Sequence, residues 1–265
     1  MPFPEIDPVA LQLGPLAIRW YGIAYVAGFI LGMLLIQRLM TTYKDYPFSY
    51  DSVSGVFTYA MVGVLLGGRI GSIVFYNLDF YLENPAQMLR VWDGGMSFHG
   101  GLIGVLLAVV LYCKWNGLPL MTVADLIATA APIGLLLGRL ANFVNGELWG
   151  RVTTVPWAVV FPSPEAGPLP RHPSQLYEAI GEGLFLLIVL LAITANRHLR
   201  LSRGFAAGIF LAGYAVIRFL VEFTREPDAS YIWIFTRGQA LSVPMVVLGL
   251  VLLVFALRNK PDRAA

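Results

Sequence analysis

ALSVPMVVLGLVLLVFAL, Ala240 to Leu257, contains no ionisable side chain. As a helix, an apolar run of about 18 residues or more is long enough to cross the hydrocarbon core of a bilayer. WYGIAYVAGFILGMLLIQ, Trp20 to Gln37, is a second such run, ionisable only through tyrosine. Lipid offers backbone N–H and C=O groups no partners, so spanning segments are helices or closed barrels. Barrel strands alternate in polarity over about ten residues. These runs are apolar all round and read as helices. The whole chain of 265 residues is 57% hydrophobic and 13% charged, whereas a soluble domain carries about 25% charged residues.

Working outward from Ala240–Leu257, the pattern predicts an all-α membrane protein of about seven spans forming a single integral membrane domain, residues 1–265. The spans fall near Ile18–Met40, Val53–Tyr76, Phe98–Trp115, Met121–Leu140, Leu176–Ala195, Gly204–Glu222 and Ala240–Leu257. Residues 141–175 form the longest connection. Its PSPEAGPLPRHP composition, Pro162 to Pro173, predicts a loop or small extramembrane lobe. The start, MPFPEIDPVALQLGP, lacks a basic region followed by an apolar core, so the first helix is expected to direct insertion itself. The net charge of +2 is too small to imply a nucleic-acid partner.

Short loops rich in Lys and Arg face the cytoplasm. Seven spans put Arg38, Lys44, Lys114, Arg197, Arg200, Arg203, Arg258, Lys260 and Arg263 on one side, and Arg19, Arg90, Arg151, Arg171, Arg225 and Arg237 on the other. The first side is richer, so the N-terminus is expected outside and the C-terminus inside. On that map Arg69, His99, Arg139, Glu178, Glu182, Arg218 and Glu222 gather toward the outer face, and only Asp125 toward the inner. Ionisable groups within spans are costly and are read as functional or paired.

Each has a plainer reading. Arg69, Glu182 and Arg225 could snorkel to the headgroups. Asp125 suits a helix start or a packing partner. Tyr214, Arg218 and Glu222, at i, i+4 and i+8, share one helix face, as a structural ion pair or as a site. In MSFHGGLIG, Met96 to Gly104, the glycines Gly100, Gly101 and Gly104 permit close helix approach, and His99 is either a structural hydrogen-bonding group or a base. GRLANFVNGELWGR, Gly138 to Arg151, is either a donor-rich bend that holds a phosphate or a capped helix end meeting water. His172 and His198 fall on opposite predicted sides, and no Cys/His cluster has metal-ligand spacing. Cys113 is the one cysteine, so no internal disulfide can form, and it lies toward the inner face. No cofactor or metal is expected.

GRLANFVNGELWGR resembles the signature of the bacterial prolipoprotein diacylglyceryl transferases. The resemblance extends through WYGIAYVAGF in the first span, GGRIG at Gly67–Gly71, VWDGGMSFHGGLIG at Val91–Gly104, RHPSQLYEA at Arg171–Ala179, GYAVIRFLVEFTREPDA at Gly213–Ala229 and GQALSVPM at Gly238–Met245. Val152 to Pro170 carries little that matches. The resemblance implies transfer of the diacylglyceryl group of phosphatidylglycerol to the lipobox cysteine of a prolipoprotein. It also implies a thioether product, released glycerol phosphate, seven spans, and a site toward the periplasm of the inner membrane, with 141–175 as the main periplasmic loop. Tyr21, His99, Arg139, Asn142, Glu147, Gly150, Tyr214, Arg218 and Glu222 match functional positions. His99, Arg139, Arg218 and Tyr21 are the catalytic candidates. Arg139, Arg218, Asn142, Glu147, Gly150, Tyr214, Glu222 and Arg69 are the candidates for phospholipid binding. The partners implied are phosphatidylglycerol, a prolipoprotein signal peptide and membrane lipids. A transporter would need polar groups reaching through the membrane, and a non-catalytic anionic-lipid scaffold would need the arginines without a base.

Overall fold

The computed structural model describes residues 1–4, 6–14, 16–90, 94–227 and 233–259. Val91 to Asp93, Asp228, Ala229, Lys260 and Arg263, which enter the motif and charge readings above, lie outside the described residues.

The helices are α1 (Trp20–Thr42), α2 (Tyr50–Tyr76), α3 (Leu78–Glu83), α4 (Phe98–Trp115), α5 (Leu120–Val144), α6 (Ser174–Glu178), α7 (Leu186–Ala195), α8 (Arg197–Leu201), α9 (Phe205–Val221) and α10 (Arg237–Arg258), and a π-helical segment, Ala179–Phe185, joins α6 to α7. All seven predicted segments are helical over most of their length, but the first starts at Trp20 rather than Ile18, because Ile18 and Arg19 belong to a strand. α1, α2, α5, the continuous stretch Ser174–Ala195 and α10 are long and apolar enough to cross a membrane, and His99–Trp115 and Phe205–Val221 are apolar but shorter. The chain is therefore a multi-pass, all-α membrane protein. One feature has no counterpart in the sequence reading: a hairpin of β1 (Val9–Leu13) and β2 (Leu16–Arg19), antiparallel with Leu13 opposite Leu16, turning through Gly14 at φ 58°.

Two compact units are present, one of residues 37–123 and the other of residues 1–36 with 124–265. In the first, α2 lies against α4 at backbone contact. A Cβ on Gly67 would sit 2.3 Å from the Gly100 carbonyl oxygen, and one on Gly104 would sit 2.0 Å from that of Gly63. Glycine is thus required for this approach, as the small-residue reading of Gly100 and Gly104 expected. The Ser97 side chain caps α4, accepting from Gly100 N at 3.1 Å.

In the second unit, Asp125 is the packing partner that was expected. It lies in the second turn of α5, and its carboxylate accepts from Gly204 N at 2.7 Å and Ala207 N at 2.9 Å. The first N–H groups of a helix lack internal partners, so Asp125 caps α9 from a neighbouring helix. Below that cap, Leu186, Leu190 and Ala206 form a core with Ile193, Ile209, Phe210 and Tyr214. The connection expected over residues 141–175 is shorter, because α5 runs on to Val144 and α6 begins at Ser174, and part of it packs into a small lobe. Val159, Phe161 and Ala166 pack with Phe3, Phe143 and Trp149, and Arg171 ties the lobe by donating to Ala166 O at 2.6 Å and Gly150 O at 3.1 Å.

Candidate active site

Glycines bring the charged residues of the second unit together. A Cβ on Gly183 would lie 2.7 Å from Leu136 Cα on α5, and one on Gly181 would lie 2.6 Å from Ile217 Cγ2 on α9. The π segment thus touches α5 on one side and α9 on the other. π-helical turns are rare and recur at functional sites. This one carries Glu182 and follows directly on Glu178.

Glu178 is fully buried and meets three guanidinium groups. Arg139 Nη1 lies 3.3 Å from its Oε2, Arg225 Nη1 lies 3.0 Å from its Oε1, and Arg218 Nη1 donates to the same Oε1. Arg139 Nη2 reaches Glu182 Oε2 at 3.3 Å, and Arg218 Nη2 reaches Glu222 Oε2 at 2.8 Å. The opposed charges balance, which buried ionic groups require. The snorkelling reading is corrected here: Glu182 is 0% exposed, Arg225 2% and Arg69 6%. Each has partners inside the protein and is enclosed by it. The three arginines differ in one respect. The side chain of Arg225 is 3% exposed, whereas those of Arg139 and Arg218 are 18% and 14% exposed. Glutamates fix the latter two from behind and leave part of each fork open.

Asn142, one turn beyond Arg139 on α5, leads to the bend. Glu147 Oε1 accepts from Asn142 Nδ2 at 2.8 Å and Asn145 Nδ2 at 3.3 Å. Gly146 and Leu148, on either side of Glu147, both have positive φ, 65° and 59°. That is uncommon for leucine and marks a backbone held by its surroundings. The restraints are Glu147 N to Asn142 O at 3.1 Å, Ser174 Oγ to Leu148 O at 3.0 Å, and Gln175 Nε2 to Glu147 O. Gly150 lies where no side chain fits, since a Cβ there would be 2.4 Å from Thr224 O and 2.6 Å from His172 Cβ. Tyr21 on α1 interacts with Asn142 and shares a 3.1 Å hydroxyl contact with Tyr25. Tyr214 stacks on Phe210 and feels the charges of Glu182 and Arg139. In the lobe, His172 Nδ1 lies 3.1 Å from the Tyr177 hydroxyl, which accepts from Trp157 Nε1 at 2.6 Å, and burial lowers the pKa of His172.

The structure therefore joins Tyr21, Arg139, Asn142, Glu147, Gly150, Tyr214, Arg218 and Glu222 within one unit. Arg69 and His99 belong to the other. Arg69 donates from Nε to Met88 O at 2.9 Å, from Nη1 to Gly94 O and Gly95 O, and from Nη2 to Gln87 O and Arg90 O. Those bonds use all five N–H groups, so Arg69 ties together the backbone of Gln87, Met88, Arg90, Gly94 and Gly95. Its guanidinium also stands 5.1 Å from the Tyr81 ring centre. His99 is exposed in the first turn of α4. Among the charged residues, sequence reasoning missed Glu178 as the hub, together with Glu182 and Arg225. Their presence in or beside spans was visible, but each was weighed alone, and balancing three arginines against three glutamates would have grouped them.

The sequence model of the family described as prolipoprotein diacylglyceryl transferase matches residues 8–255. A phosphatidylglycerol–prolipoprotein diacylglyceryl transferase of Rhodospirillum centenum is 52% identical over 97% of this chain and 94% of its own length. Proteins of the same name from Agrobacterium fabrum and Photobacterium profundum are 52% and 49% identical, covering 94% and 99% of this chain and 92% and 97% of their own lengths.

Proposed function

The chain belongs to the prolipoprotein diacylglyceryl transferase family, and we propose how its residues divide the work of moving the diacylglyceryl group of phosphatidylglycerol to a prolipoprotein. The acceptor is the thiol of the lipobox cysteine. Sulfur attacks the glyceryl carbon that bears the phosphate ester. A carbon–sulfur bond forms, the carbon–oxygen bond breaks, and its electron pair leaves on glycerol phosphate.

The observation that supports this reading most directly is the pair Arg139 and Arg218, both anchored on Glu178 and both partly open. Guanidinium forks match phosphate oxygens bidentately, and donors aimed at charge that grows in the transition state lower its energy. Glu182 and Glu222 hold the outer nitrogens of the two forks. Asn142, Glu147 and Tyr21 form the adjoining polar wall, and Tyr214, which feels the charge of Arg139, stacks on Phe210. Gly150 lets the chain pass between Thr224 and His172. Arg69 contributes by fixing the loop before α4. His99 takes the thiol proton, because a thiol, with a pKa of about 8.5, must ionise to attack and histidine is the usual base near neutral pH. Cys113 is buried in α4 and is no nucleophile here. An assay with phosphatidylglycerol and a lipobox peptide tests the whole assignment. The thioether-linked peptide must form, and its absence with folded protein would defeat it.

A location in the inner (plasma) membrane is the reading that the apolar helices, the shorter α4 and α9 included, support. The N-terminus of the chain lies outside, its C-terminus inside and its site toward the periplasm. The excess of Arg and Lys around Arg38–Lys44, Lys114 and Arg197–Arg203 supports this. Reporters fused after Arg203 should read as cytoplasmic and those within residues 162–170 as periplasmic. The opposite pattern would reverse the assignment.

A further inference from the structure

Among the described residues, the two partly open guanidiniums stand against three buried carboxylates. Arg139 meets Glu178 and Glu182, and Arg218 meets Glu178 and Glu222. Two positive charges against three negative ones leave a negative surplus where an anionic phosphate has to bind. Arg225 removes that surplus. Its Nη1 lies 3.0 Å from Glu178 Oε1, the oxygen to which Arg218 also donates. Its Nε lies 3.7 Å from Glu222 Oε2, which Arg218 reaches at 2.8 Å. Both carboxylates that hold Arg218 therefore face Arg225 as well.

Arg225 itself is enclosed, its side chain only 3% exposed. Its backbone is fixed from the lobe. Gly150 and Arg225 form an antiparallel bridge, Arg151 N donates to Thr224 O at 2.8 Å, and Arg151 Nε donates to Arg225 O at 2.8 Å. The third arginine is thus held behind the other two. Its charge acts with little screening, because water is excluded around it.

We propose that Arg225 is a positioning residue for the anionic donor: by sharing Glu178 and Glu222, it leaves the charge of Arg139 and Arg218 available to the phosphate. The inference rests on the phosphate reading of those two arginines. An arginine that only braced the helices would matter equally for every ligand of the site. Arg225 matters for ligands that carry the phosphate.

The test compares phosphatidylglycerol with diacylglycerol of the same acyl chains, which lacks the phosphate, binding to the purified full-length protein in detergent. Arg225→Gln should weaken phosphatidylglycerol by about tenfold or more, as the loss of a buried charge partner does, and leave diacylglycerol nearly unchanged. Arg225→Lys keeps the charge and should restore most of the lost affinity. An equal loss of both lipids in Arg225→Gln overturns the proposal, and so does a lysine variant as weak as the glutamine one. Should Arg225→Gln not fold, Arg225→His decides, since its charge is lost as pH rises. Its preference for phosphatidylglycerol should then fall with pH more steeply than that of the unaltered protein, and a parallel course overturns the proposal. Arg139→Ala separates the two readings. If it binds phosphatidylglycerol as before, the phosphate reading fails. If it weakens phosphatidylglycerol while Arg225→Gln does not, the role of Arg225 alone fails.

Discussion

Glu178 holds Arg139 at 3.3 Å with a side chain that has no exposed surface, while the side chain it holds is 18% exposed. The carboxylate is enclosed and the arginine side chain is partly open. The same acid also bonds Arg218, so one buried charge orients both open forks.

Glu178→Ala should therefore be severe. It leaves three guanidiniums without their common partner, and breaking a buried pair on one side costs about 3–5 kcal/mol. Thermal unfolding in detergent should show a large drop in midpoint, with transfer lost. Glu178→Gln should unfold at a higher temperature than Glu178→Ala and still transfer poorly, because the amide cannot balance the arginines. Normal transfer by Glu178→Gln would show that the charge of the hub is dispensable.

The glycines of the π segment set the spacing of the same cluster. A methyl on Gly183 would press on backbone, at 2.7 Å from Leu136 Cα, which cannot move without moving α5. Overpacking of this kind costs about 1–3 kcal/mol. Gly183→Ala should lower both stability and transfer, whereas Gly134→Ala, with nothing within 4 Å of the added carbon, should be tolerated. Equal behaviour of the two variants, measured by thermal unfolding and initial rate, would contradict the packing argument.

The seven helices were legible because lipid demands long apolar runs, and the predicted ends fall close to the observed ones. Met121–Leu140 was expected where α5 runs Leu120–Val144. The hairpin at Val9–Arg19 was not legible, since its strands are only five and four residues long. The π segment was hidden too. Ala179–Phe185 carries no local pattern that tells a π turn from an α turn, and its close contacts, with Leu136 and Ile217, lie far away in sequence. Arg139, Asn142, Glu147 and Arg218 could be named from motifs. That Arg69 is committed to five carbonyls could not, because its partners lie in a loop after α3 without any pattern of their own.

Cys113→Ser should leave transfer nearly intact. Cys113 is 2% exposed within α4, and the reacting thiol belongs to the substrate. Loss of transfer in a folded, inserted variant would mean that the nucleophile has been misplaced.

His99→Gln should be expressed, insert and bind donor lipid, yet transfer slowly. Glutamine keeps a hydrogen-bonding group but cannot accept the proton. The residual rate should rise with pH, as more substrate thiol ionises without help. A near-normal rate at neutral pH would remove His99 from the mechanism.

In the proposed mechanism Arg139 and Arg218 grip the phosphate of the donor. Lysine keeps the charge and loses the planar fork. The decisive measurement is the initial rate of glycerol phosphate release from headgroup-labelled phosphatidylglycerol, made on Arg139→Lys, Arg218→Lys and the two alanine variants at matched, membrane-inserted protein levels. The phosphate clamp predicts at least a tenfold loss with lysine at either position and a greater loss with alanine. Full activity in both alanine variants would contradict it.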